Sequence, residues 1–315
     1  MRVGHSPYEI HFLGGITASG KSAFALEWAK NRNAEILSCD SIAVYKGMNV
    51  GSAKPTDEDR KKIPHHGLDL CRIDEEFNVI RFFEYAKQVV RKTMKERKNL
   101  LVVGGSGFYL QSFFEPIADG VIVTDHIRRK VREIEASGGR KELLAQLTVL
   151  NPQGLGNLDV NNPRRLIRCL ERCMSSGRSL EELSKDFKSL PNPFVGIKKN
   201  VLWLDRENPD VERRIHHRTQ RMLEDGLVEE TKGLLEEGLE QNPVALRAVG
   251  YREAVRFIRG EYCQEQMVRK VNTSTRQLVS KQRKWFRKRL PLSSRFVLQE
   301  GYSVNHDEVD WISGA

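Results

Sequence analysis

Long apolar runs are missing from this 315-residue sequence. No stretch approaches the roughly 20 apolar residues that a membrane-spanning helix needs, so no membrane partner is expected. Cysteine is scarce and patternless: Cys39, Cys71, Cys169, Cys173 and Cys263 are scattered and odd in number. Only Cys169 and Cys173 share a helical-turn spacing, and no second pair completes a zinc site. Reduced thiols in a cytosolic protein are the expectation. Residues 1–7 are polar, and no secretory signal is expected there. Repeats and low-complexity segments are also absent. With 39% hydrophobic and 30% charged residues, the chain has core enough for one large domain or two modest ones.

Acidic residues are lacking where basic ones gather. The whole chain carries 52 Lys+Arg against 42 Asp+Glu, a net charge of +10. Residues 276–289 hold Arg276, Lys281, Arg283, Lys284, Arg287, Lys288 and Arg289 with no acid, and Trp285 and Phe286 lie among them. Arg164, Arg165, Arg168 and Arg172 form a second cluster; Arg128, Arg129, Lys130 and Arg132 form a third. A solvated helix face normally mixes signs, so single-sign clusters point to a polyanion such as nucleic acid. The helical spacing of Trp285 and Phe286 with Leu278 and Leu290 favours core packing over base stacking.

The most specific feature present is Gly15-Ile16-Thr17-Ala18-Ser19-Gly20-Lys21-Ser22, a complete phosphate loop following the apolar run 10–13. Its glycines let backbone N–H groups converge on phosphate oxygens. Lys21 adds a point charge, Ser22 can ligate Mg²⁺, and the helix that follows turns its positive end to the anion. The elements expected around it are a helix from 21 to about 31, a strand over 35–39, an amphipathic helix carrying Val79 to Met94, and an apolar strand over 100–103. This rhythm predicts an α/β fold, a P-loop-type parallel sheet flanked by helices, with ligands at the strand ends. Residues 126–192 read as a helical insertion domain, with helices over 126–148 and 162–187, between core segments 1–125 and 193–315. A short strand over 201–204 returns to the sheet. Helices follow over 209–240 (broken at Gly226 and Gly238), 249–259 and 263–290, and the stretch 291–315 has weak strand character.

One acid is missing in an informative place. Phosphate-loop ATPases and GTPases usually carry a carboxylate at the end of a second apolar strand. Here residues 100–103 run into Gly104-Gly105-Ser106-Gly107. The acid stands instead at Asp40, closing the 35–39 strand. It could take a proton from a nucleophile, or it could simply cap a turn.

From Asp40 the sequence runs Ser41-Ile42-Ala43-Val44-Tyr45-Lys46-Gly47-Met48-Asn49-Val50-Gly51-Ser52-Ala53-Lys54-Pro55. This resembles the D-S-x-x-V-Y-[RK]-G-x-[DN]-I-G-[TS]-A-K-P signature of the bacterial tRNA dimethylallyltransferases. The likeness extends through residues 14–22, Pro64-His65-His66, 104–109, 162–171, 247–252 and 275–287, in the family's order and spacing. It implies transfer of a dimethylallyl group from dimethylallyl diphosphate to N6 of adenine 37 of tRNA, with Mg²⁺. In that family the loop holds the donor's diphosphate and hydrolyses no nucleotide. By resemblance, residues 15–22 and Arg218 bind the diphosphate, and Ser22 helps to hold the metal. Arg214 stabilises the leaving group, Asp40 accepts the N6 proton, and Ser106 joins them as a catalytic residue. The implied tRNA contacts are Asp40, Ser41, Ile42, Ala43, Ser106, Arg128, Arg164, Arg165, Leu166, Ile167, Arg168, Arg247, Ala248, Val249, Gly250, Tyr251 and Arg252, with Arg129 adjacent to Arg128. A cytosolic monomer is expected.

The sequence departs from the pattern at Ile16 (usually proline), Ala43 (often glutamine), Ser106 (usually threonine) and Asn162 (often aspartate). None of these removes a group that the reaction requires. Adjacent His65 and His66 face apart, and a structural or positioning role is expected of them. The competing readings are a small-molecule or nucleotide kinase, a prenyltransferase acting on free adenine nucleotides, and a non-enzymatic RNA-binding module.

Overall fold

The computed structural model describes residues 8–290, 294–299 and 311–314. The expectations placed on residues 1–7 and on much of 291–315 fall outside these. The chain divides into two compact units, Met1–Phe113 with Gly196–Ala315, and Phe114–Val195. The first opens with β1 (Glu9–Gly15), α1 (Lys21–Asn31), β2 (Ala34–Ser38), α2 (Asp57–Lys62), β3 (His65–His66), α3 (Val79–Lys95), β4 (Asn99–Gly104) and α4 (Gly107–Gln111). The second unit holds α5 (Asp125–Val149), α6 (Pro163–Ser176) and α7 (Leu180–Ser189). The first unit then resumes with β5 (Lys198–Arg206), α8 (Asn208–Glu224), α9 (Leu227–Glu236), a 3₁₀ turn, α10 (Tyr251–Ile258), α11 (Gln264–Arg289), β6 (Arg295–Leu298) and β7 (Ile312–Gly314).

The sheet runs β3-β2-β4-β1-β5-β6 with every neighbouring pair parallel, and β7 adds to β5 antiparallel. Period-2 alternation sends side chains to both faces. Leu13, Leu101, Leu202 and Leu204 meet Phe24 and Trp28 of α1 on one face. On the other, Phe12 meets Phe113 at 5.1 Å and Trp203 stacks on Phe286 at 5.5 Å. Phe286 is thus core, as its spacing suggests. The parallel arrangement has one consequence for function: the ends of β1, β2, β4 and β5 all reach the same edge of the sheet.

Several elements differ from the sequence reading. β5 spans nine residues rather than the apolar four. Its polar start is held by Glu9, which accepts hydrogen bonds from Lys198 Nζ at 2.9 Å and Asn200 Nδ2 at 2.7 Å. The helical stretch expected over 162–187, with a capping signal at Ser179-x-x-Glu182 before its last helix, is two helices. Gly177 ends α6 in the left-handed region at φ 68°, and Ser179 opens α7 with a capping box to Glu182. Residues 57–62 and 107–111, outside every expected helix, form α2 and α4. Within the second unit, Val131, Leu143, Leu147, Leu166, Leu170, Cys173 and Leu183 make a separate core, and Gly139 interrupts α5 at φ 58°.

Candidate active site

The phosphate loop leaves β1 at Gly15 and enters α1 at Lys21. Gly20 takes a left-handed φ of 94° at the helix N-cap, where a Cβ would be strained. Ala18 is also left-handed, at φ 65°, a conformation that costs a non-glycine residue roughly 1 kcal/mol. Cations hold three of the loop's carbonyls. Lys21 Nζ donates to Ile16 O at 2.5 Å, Arg214 Nε to Ala18 O at 2.8 Å, and Arg206 Nε to Ser19 O at 2.9 Å. With these carbonyls engaged, the loop's shape is set before any anion arrives. The Ile16 side chain turns into a buried cluster with Val211, Ile215 and Val279, and Ser19 is fully buried. Ser22 is exposed on the first turn of α1.

Arg206 has no counterpart among the residues singled out from sequence. It is buried at the end of β5, and its guanidinium is fixed by Asp210 Oδ2 at 2.5 Å, one helical turn on. Arg214 and Arg218 extend the cationic wall along α8. Among the described residues the Arg218 guanidinium donates no hydrogen bond; Asp40 attracts it electrostatically, and it repels the like charge of Lys21. Burial, with Arg218 adding to it, pushes Lys21 down from 10.5 to about 7. A bound diphosphate would raise that value again. Above pH 7 the empty loop is therefore partly deprotonated, binding takes up a proton, and affinity falls as pH rises. Calorimetry of inorganic diphosphate at pH 8, in buffers of different ionisation enthalpy, should report this uptake. Lys21→Arg should abolish the Lys21 share of it.

Asp40 follows β2 by two residues and caps its own turn. Its Oδ1 accepts from Ile42 N at 2.8 Å and from Ala43 N at 3.4 Å. Among the described residues Oδ2 accepts no hydrogen bond, so the turn uses one oxygen and leaves the other. Ser106, just past β4, accepts from Ser41 N at 3.2 Å and ties the two strand exits together. Thr17, Asp40, Ser106 and Arg218 all line one cavity of about 390 Å³. Its remaining wall is largely apolar, with Ile215, Met222, Val249, Val271 and Leu278, and it includes Arg247 and Ala248. One residue of the phosphate loop, an acid, a buried arginine and an apolar wall thus share one space.

Asp205, the other strand-end acid, is unavailable. It is fully buried and saturated by Arg283 Nε at 2.8 Å, Arg295 Nη2 at 2.6 Å and Arg206 N. Gln282 was not singled out from sequence: its Oε1 accepts from Thr17 N at 2.8 Å, and its Nε2 donates to Gly105 O at 3.2 Å. The residues Val271, Thr275, Leu278 and Gln282 line the cavity at helical spacing, the signal by which Gln282 could have been found.

Several expected nucleic-acid contacts have other work. Tyr251 is fully buried and donates to Glu230 Oε1 at 2.6 Å, and the same carboxylate accepts from the backbone N–H of Asn49, Val50 and Gly51. Tyr251 therefore braces the wall formed by residues 247–249. Gly250 lies at φ 95°, its N–H donating to Glu253 Oε2 at 2.9 Å. Arg252 bonds to Glu253 and, at 2.7 Å, to Ser274. Ala43 is buried, while Ser41 and Ile42 are half-buried at the cavity. In the second unit Leu166 is fully buried and belongs to the core, and Ile167 is half-buried. Arg164, Arg165 and Arg168 are exposed there, as are Arg128, which pairs with Asp125, and Arg129. His65 and His66 are structural: one ring bonds to Ile63 O at 2.7 Å and the other to Glu35 at 2.6 Å.

This fold and site define a P-loop-type α/β protein whose phosphate loop borders a largely apolar chamber at Thr17. The chain matches the IPP transferase family over residues 43–289 and belongs to it. It is 43% identical over 282 residues to a tRNA dimethylallyltransferase of Opitutus terrae, covering 90% of this chain and 91% of that one. It is 35% identical to the Thermotoga neapolitana tRNA dimethylallyltransferase, covering 88% of each. Among solved structures it resembles a tRNA isopentenylpyrophosphate transferase of Staphylococcus epidermidis, with TM-score 0.64, 27% identity and 94% of each chain covered. A eukaryotic dimethylallyltransferase acting on tRNA shares the fold, with TM-score 0.76, 24% identity, 93% of this chain and 74% of that one.

Proposed function

We propose that this protein transfers a dimethylallyl group from dimethylallyl diphosphate to N6 of adenine 37 in the anticodon loop of tRNA. The observation that carries this reading is the cavity shared by Thr17 of the phosphate loop, Arg218, Asp40 and a largely apolar wall. The loop N–H groups, Lys21, Arg214 and Arg218 bind the diphosphate, and the apolar wall takes the five-carbon chain. The allylic C1–O bond breaks with its electron pair leaving on diphosphate. The N6–C1 bond forms, and the N6 proton passes to Asp40. Preorganised cations at the leaving group are the main expected source of rate. An adenine must leave the stack to reach this chamber, so the base is flipped out.

The donor set suits Mg²⁺ carried by the diphosphate. Magnesium usually takes one or two protein ligands together with phosphate oxygens and water. Ser22 offers an exposed hydroxyl beside the cradle, and the described residues contain no cluster of acidic, His or Cys ligands that would form an all-protein cage. Bound there, the ion would neutralise charge on the departing diphosphate.

Lys281, Lys284 and Lys288 are exposed on α11, where an open, basic groove of about 620 Å³ runs along Asn208, Ser280, Arg283, Lys284, Arg287 and Lys288. This face suits the RNA backbone, as do Arg128, Arg164, Arg165 and Arg168. Replacing Lys281, Lys284 and Lys288 by alanine should weaken RNA binding and lower the slope of log affinity against log salt by about 2, given roughly 0.7–0.9 per phosphate contact. An unchanged slope would remove this face from the interface. No helix of the described residues is long and apolar enough to cross a membrane.

The test is incubation with Mg²⁺, dimethylallyl diphosphate and unmodified tRNA, followed by nucleoside mass spectrometry. N6-dimethylallyladenosine is the expected product. Its absence with folded protein, together with ATP turnover on a small acceptor, would return the case to a kinase.

A further inference from the structure

We propose that Gln282 is a positioning residue that sets the separation between the donor cradle and the acceptor base. The inference rests on the function proposed above. One planar carboxamide makes both contacts: its oxygen takes the Thr17 N–H of the phosphate loop, and its nitrogen donates to Gly105 O beyond β4. Gly105 leads into Ser106, whose hydroxyl holds Ser41 N, and Ser41 adjoins Asp40. The amide therefore ties the diphosphate side of the chamber to the side carrying the acid.

The chain makes room for this tie. A Cβ on Gly105 would collide with Gln282 Nε2. The last paired residues of β1 and β4 are Gly14 and Gly104. Past them the sheet no longer holds the two exits in register, and the reacting atoms sit on those exits. A carboxamide has an acceptor and a donor at fixed geometry, which suits it to hold two backbone groups apart at one distance. An apolar side chain at position 282 would fill the cavity wall equally well and would fix nothing. A displacement of about 1 Å between donor and acceptor can cost on the order of 100-fold in rate.

Gln282→Ala, Gly105→Ala and the double variant test this with three readouts. These are the single-turnover transfer rate at saturating donor and RNA, the affinity for inorganic diphosphate with Mg²⁺ in the absence of RNA, and RNA affinity. Gln282→Ala should slow transfer at least ~10-fold and weaken diphosphate binding about fivefold, the scale of one lost hydrogen bond. RNA affinity should stay within about twofold, since phosphate contacts dominate it. Gly105→Ala, whose added Cβ meets the Gln282 amide and otherwise only Gly15 O within 3.4 Å, leaves the Gln282 side chain itself intact and should slow transfer similarly. In the double variant the two losses should not multiply, because both cut one link. Multiplied losses, or a loss confined to RNA affinity, would overturn the proposal. Should Gln282→Ala fail to fold, Gly105→Ala decides alone: unchanged transfer and diphosphate affinity would sink the idea. If the unaltered protein prenylates no RNA, the function reading fails. Diphosphate affinity in Gln282→Ala then still decides whether the amide orders the loop.

Discussion

Asp40→Asn should lower the single-turnover transfer rate at least ~100-fold, the scale of a lost general base, with RNA affinity nearly intact. The asparagine isolates chemistry from structure. Its Oδ1 can still accept from Ile42 N and Ala43 N and keep the turn closed. The atom replaced is Oδ2, which takes no hydrogen bond among the described residues and, in the proposed reaction, receives the N6 proton. Asp40→Ala removes both, so it should be at least as slow and should also loosen the turn that leads to Ser41. An asparagine variant that turns over at the normal rate would leave Asp40 as a turn acid only.

Arg206→Met should destabilise the folded protein by about 3–5 kcal/mol, the usual cost of stripping one partner from a buried ion pair. Asp210 would keep one hydrogen-bonding arginine, Arg213 at 3.1 Å, and the more distant charge of Arg214, within a buried site. The loss is read as a lowered urea midpoint with an unchanged slope. Adding Asp210→Leu should restore most of the stability by removing the stranded charge, without restoring affinity for diphosphate. Ser19 O would still lack its donor, and the loop would pay for ordering on binding. Recovery of both properties together would show that Arg206 matters to the fold alone.

The two variants probe different levels of legibility. Asp40 could be found by position, at the end of a strand beside a phosphate loop. Its sequence also allowed a turn-capping role, and the structure uses one oxygen that way. Arg206 and Asp205 are adjacent in sequence, and nothing local says that one supports the loop while the other is locked between Arg283 and Arg295. Tyr251 and Leu166 lie within stretches implied to contact RNA, yet both are fully buried. A resemblance carries over a stretch of residues, and only packing tells which of its side chains face outward.

By itself the sequence determined what depends on a few contiguous residues. The phosphate loop is a local backbone conformation, set by glycines, by the following helix start and by the type of its lysine and serine. The apolar runs of β1, β2 and β4 are of the same kind. Tertiary structure decided what depends on register and packing. Gln282 meets Thr17 across 265 residues of chain. That meeting requires β1 and β4 to end side by side and α11 to lie on Phe286 beneath them. No window of sequence contains such a distance, because it is produced by parallel strands ending at one edge of a sheet.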